Sequence, residues 1–94
     1  TCAPALAEAA ERACRAADGF TTVVNGRFKG GWTTRHYGRP DEGWHAIQME
    51  LAQSTYMEEA PPWRYLPERA DNIRKPLNKL LTAIDRLARE GVLT

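Results

Sequence analysis

Between Gly19 and Pro40 the chain carries four cations, Arg27, Lys29, Arg35 and Arg39, and no Asp or Glu. Gly26, Gly30, Gly31 and Gly38 are interleaved with them. Glycine lets a backbone approach a ligand closely, and arginine grips a carboxylate with two parallel hydrogen bonds. The stretch is therefore a candidate site for a small anion. A solvated hairpin with surface cations explains the same composition. Glycine loops that cradle phosphates have longer spacings ending in Lys-Ser or at a helix start, and neither is present.

Glu50 is the second residue that could do chemistry. It closes the alternating run Trp44 to Leu51, beside Ala46 and Gln48 on one side. A carboxylate at the end of a buried strand is suited to general acid or base work, because desolvation raises its pKa toward neutrality. A structural ion pair with Arg35 or Arg39 is the competing reading. His36 and His45 are nine residues apart and match no compact metal spacing. Cys2 and Cys14 form neither a disulfide framework nor a zinc finger. Trp32, Trp44 and Trp63 are expected to pack rather than stack on a ligand. Ser54 has no nucleophile-elbow context.

These residues need elements to hold them. Residues 4–17 read as a helix, with Leu6, Ala9, Ala10, Ala13, Cys14 and Ala17 at helical spacing. Thr1 is a candidate N-cap, Pro4 suits the first turn, and Asp18-Gly19 is a stop signal. The alanine-rich face suggests close packing on a sheet. Residues 20–25 and 32–37 are rich in β-branched and aromatic types and read as strands. Residues 44–51 alternate most clearly, with His45, Ile47, Met49 and Leu51 on the face opposite Glu50. Pro61-Pro62 marks a loop over 60–66. From Leu66 a helical stripe returns through Ala70, Ile73, Leu77, Leu80, Leu81, Ile84 and Leu87, and Gly91 ends it. Pro76 inside this stripe predicts a kink or break near Arg74. Ile47, Met49 and Leu51 should lie beneath this helix. The order helix–strands–long helix predicts an α/β class.

Composition bounds the function. The chain has 94 residues, which is one domain at most, with 43% hydrophobic and 27% charged residues. A net charge of +1 excludes the bulk electrostatics of a nucleic-acid module. No apolar run reaches the ~18 residues of a membrane span, so no membrane partner is expected. The opening Thr1-Cys2-Ala3-Pro4 reads as if cut from something longer, without the basic start and apolar run of a signal peptide.

The run Asn25-Gly26-Arg27-Phe28-Lys29-Gly30-Gly31-Trp32-Thr33-Thr34-Arg35-His36-Tyr37-Gly38-Arg39-Pro40 closely resembles a signature block of the N-formylglutamate deformylase (amidohydrolase) family. Gly43 to Met57, containing Gln48-Met49-Glu50-Leu51, resembles the block that follows it. The likeness continues through Pro61-Pro62 into the terminal helix and covers most of the chain.

The resemblance implies hydrolysis of N-formyl-L-glutamate to formate and L-glutamate in histidine degradation, in the cytoplasm. It implies the C-terminal part of a mixed-sheet fold like that of zinc carboxypeptidases and aspartoacylases. Such enzymes hold one zinc with two His and a Glu, and a later Glu handles the proton of the metal-bound water. Glu50 matches that later Glu by order and context. Arg35 matches a substrate-contacting Arg, with Arg27, Lys29, Arg39 and Tyr37 as further substrate-binding candidates. The family's metal ligands would lie upstream of Thr1, so residues 1–94 are expected to be one C-terminal fragment that binds no zinc and is inactive alone. A small dicarboxylate is the implied partner. A homodimer through an exposed sheet edge is also expected. The rival reading is a non-catalytic structural or interaction module derived from the same fold.

Overall fold

The computed structural model describes residues 1–26 and 29–93. Three α-helices occur there: α1 over Pro4–Arg15, α2 over Trp32–Tyr37 and α3 over Pro67–Arg89. Short 3-10 turns occupy Pro40–Glu42 and Gln53–Thr55. Among the described residues there is no β-strand, only isolated bridges joining Arg39 to Trp44 and Met57 to Tyr65. The mixed-sheet α/β architecture is therefore overturned, and with it the sheet edge proposed for dimerisation. The chain is helical, and α1 packs on α3 where a sheet was expected.

The two long helices form because their apolar residues repeat at helical spacing. Among the described residues, Leu6 and Ala9 of α1 and Ala70, Ile73 and Leu80 of α3 are the buried hydrophobics. Alanine at two of these five positions allows close approach of the helix axes. Pro4 and Pro67 sit in the first turns, where a missing N–H removes no helical bond. Ala3, not Thr1, is the N-cap of α1, and it makes no side-chain cap. α1 stops at Arg15, short of 17, while Gly19 takes φ +84° in the turn beyond. α3 runs through Pro76 without the expected break. Its end is a Schellman motif: Val92 N–H bonds Leu87 C=O at 3.3 Å, and Gly91 N–H bonds Ala88 C=O at 3.4 Å. Gly91 supplies the required positive φ of 72°.

Residues 32–37 show why a short β-rich run misleads. Gly31 caps α2 and Gly38 stops it. The helix places Trp32 and His36, four apart, in a ring stack with centroids 4.3 Å apart and planes at 12°. The strand expected over 44–51 is absent: 45–51 take no regular secondary structure, and pairing stops at a single rung at Trp44. That rung is Arg39 N–H to Trp44 C=O at 2.8 Å and Trp44 N–H to Arg39 C=O at 3.0 Å. Met49 is 45% exposed and does not lie under α3 as expected. Residues 20–25 form neither strand nor helix.

The loop over 60–66 returns to α3 through Arg74, which donates to the Tyr65 hydroxyl at 3.0 Å and to Asp71 at 2.8 Å. The Tyr65 hydrogen bond, then the Asp71 contacts, raise the Arg74 pKa above its ordinary value. No described helix is long and apolar enough to cross a membrane.

The core is small for the chain. A folded monomer of 10.6 kDa is expected to expose about 5,500 Å². This chain exposes 7191 Å². Its radius of gyration is 14.8 Å, against about 12 Å for a compact domain of this length. The excess includes three tryptophans: Trp32, Trp44 and Trp63 are 63%, 65% and 55% exposed. The expectation that they pack internally is overturned.

Candidate active site

The site is built on the glycine pair that precedes α2. Gly31 C=O accepts the Thr34 hydroxyl at 3.0 Å and the Arg35 N–H at 3.2 Å, which starts the helix. Thr34 is buried and lies so close to Gly30 that a β-carbon there would collide with its hydroxyl. Glycine at position 30 is therefore a packing requirement. The Arg35 guanidinium reaches back and donates through Nη1 to Gly30 C=O at 2.8 Å. Among the described residues this uses one donor of five, and the rest of the fork can meet a carboxylate.

From the other side, Gly31 N–H donates to Gln48 Oε1 at 2.9 Å. Gln48 in turn donates through Nε2 to Glu50 Oε1. The structure thus ties Glu50 and Arg35, the two residues weighted most in the sequence, to adjacent glycines. Gln48 is the link, and sequence reasoning did not assign it a role.

The other candidates are placed differently. Tyr37 is exposed and sits edge-on to His36, with centroids 4.7 Å apart at 89°. Arg39 lies in the next turn, 3.5 Å from Glu42, a long and exposed contact. Lys29 is exposed just before Gly30. Arg27 lies outside the described residues. Glu50 is itself exposed, so the desolvation expected from a buried strand is absent. Its competing role is not found either: among the described residues no ion pair joins it to Arg35 or Arg39.

His45, which matches no compact metal spacing in the sequence, is a tether. Its Nδ1 accepts the Ala3 N–H at 3.0 Å, so Nε2 carries the proton and donates to Leu93 C=O. Ala46 N–H bonds Thr1 C=O at 2.9 Å alongside. These bonds hold the segment that carries Gln48 and Glu50. Among the described residues, no three of His, Cys, Asp and Glu converge where a metal could sit. A catalytic zinc takes three protein ligands, so these donors do not fit one.

The site is one carboxylate and one guanidinium held at a glycine turn, which suits proton transfer beside a bound anion. The comparisons place the chain among amide hydrolases. The model of the N-formylglutamate amidohydrolase family matches residues 1–57, and this chain belongs to that family. It is similar to an N-formylglutamate deformylase of Pseudomonas aeruginosa, 48% identical over 90 residues, covering 96% of this chain and 34% of the relative. It is also similar to an N-formylglutamate deformylase of Pseudomonas putida, 50% identical over 84 residues, covering 89% of this chain and 32% of the relative. The chain thus spans about a third of the length of these curated relatives. No solved structure matches it.

Proposed function

We propose that this chain carries the general base and a substrate-carboxylate contact of an N-formylglutamate amidohydrolase. In this reading, Glu50 takes a proton from the water that attacks the formyl carbon. The C–N bond breaks, the proton passes to the leaving amine, and formate and L-glutamate are released. Arg35 grips a glutamate carboxylate with the guanidinium edge that Gly30 leaves open, and Lys29, Arg39, Arg27 and Tyr37 are further contacts. One observation supports this reading most: Gln48 and the Gly30-Gly31 pair connect Glu50 to Arg35.

The reading extends to a cytoplasmic, zinc-dependent enzyme of histidine degradation. Among the described residues no three of His, Cys, Asp and Glu converge on a metal position, and in this reading the 94 residues alone are inactive.

The test places this chain in the Pseudomonas aeruginosa relative, in exchange for the stretch it matches, and follows formate release. Glu50→Gln should cut turnover by about 10²–10⁴-fold. Unchanged turnover in that variant rejects Glu50 as the base.

A further inference from the structure

We infer that Gln48 is a positioning residue for Glu50, aiming its carboxylate and locking it to the turn that holds Arg35; this rests on the reading of Glu50 as the general base. The amide of glutamine has one accepting and one donating end. Here the accepting end takes the Gly31 N–H and the donating end meets Glu50 Oε1. Only one orientation of the amide satisfies both partners. An exposed carboxylate has no packing to fix its rotamer. Glu50 is such a group, so the amide is what limits its torsional freedom.

The bond also distinguishes the two oxygens. Oε1 accepts from Gln48, and among the described residues no hydrogen bond engages Oε2, which is the less encumbered oxygen to receive the proton. Arg35 is held on the same glycine pair. A shift of the 30–31 turn therefore moves base and guanidinium together. Misplacing a catalytic group by about 1 Å can cost ~10²-fold in rate, so the coupling is chemically consequential.

Two substitutions separate positioning from simple loop support. Gln48→Ala removes both bonds. Gln48→Glu keeps an acceptor for Gly31 N–H but cannot donate to Glu50. In the Pseudomonas aeruginosa relative carrying this chain, both variants should lose roughly tenfold or more in kcat with KM little changed. Gly31 amide exchange should accelerate about tenfold in Gln48→Ala and stay slow in Gln48→Glu. Recovery of kcat in Gln48→Glu together with Gly31 protection would reduce Gln48 to loop support and overturn the proposal. A kcat within twofold of the parent in Gln48→Ala overturns it as well. Full turnover in Glu50→Gln instead rejects the base itself, a distinct result. Should the exchanged protein lack activity, the isolated 94-residue chain decides. The Gln48 side-chain amide resonance must shift in Glu50→Ala, and an unmoved resonance overturns the coupling.

Discussion

His45 Nδ1 accepts the backbone N–H of Ala3 across 42 positions of sequence, at 3.0 Å. With Nε2 donating to Leu93 C=O, one imidazole joins the start of α1, the segment leading to Glu50 and the residues after α3. The site segment has no sheet to belong to. Its position depends on such bonds rather than on ladder pairing.

His45→Phe keeps a planar ring and removes both hydrogen bonds. Leaving partly buried partners unpaired should cost about 1–3 kcal/mol in stability. A urea unfolding midpoint lowered at constant slope would register this. Faster amide exchange at Ala3 would locate the loss. An unchanged midpoint would show that the tether contributes nothing.

Gly38→Ala should destabilise by steric conflict. A β-carbon at Gly38 would meet the Thr1 backbone at 2.5 to 2.6 Å, with Thr1 tied to Ala46. Overpacking of this kind costs typically ~1–3 kcal/mol. Gly43→Ala fails for another reason: space is open there, but φ is +84°. Its cost is about 1–2 kcal/mol, and asparagine at 43 should recover part of it. Thermal unfolding of the three variants checks both mechanisms.

α1 and α3 were legible because each repeats its apolar residues over three or more turns, as Ala70, Ile73, Leu77 and Leu80 do. Trp32–Tyr37 is six residues long, too short for its period to outweigh β-branched composition. The alternation over 44–51 reads as a strand and none forms: a strand needs a partner along its length, and alternation carries no information about one. Glu50 and Arg35 stood out by residue type. The bond from Gln48 to Gly31 spans 17 positions and depends on the turn geometry, which no local pattern encodes. The bonds from His45 to Ala3 and Leu93 span 42 and 48 positions and were illegible for the same reason.

The exposed tryptophans make association measurable. Surface in excess of a compact monomer, with Trp32, Trp44 and Trp63 more than half exposed, favours self-association of the isolated chain. Light scattering should show mass rising with concentration, with tryptophan emission shifting to the blue as the rings leave water. A monomer with water-like emission at several hundred micromolar contradicts this.

The last prediction concerns the helix pair that carries the fold. Leu80 is 4% exposed, while its neighbour Leu81 is 63% exposed. Leu80→Ala deletes a buried side chain from a core that has five buried hydrophobics among the described residues, at a cost of about 2–5 kcal/mol. A chain of this length holds only about 5–14 kcal/mol in total if it reaches ordinary stability. The substitution should therefore lower the unfolding midpoint sharply or abolish the cooperative transition. Leu81→Ala, one position along the same helix, should move stability by no more than about 0.5 kcal/mol. Equal effects at 80 and 81 would mean that α3 presents a different face to α1, and that Ala70, Ile73 and Leu80 do not form the seam.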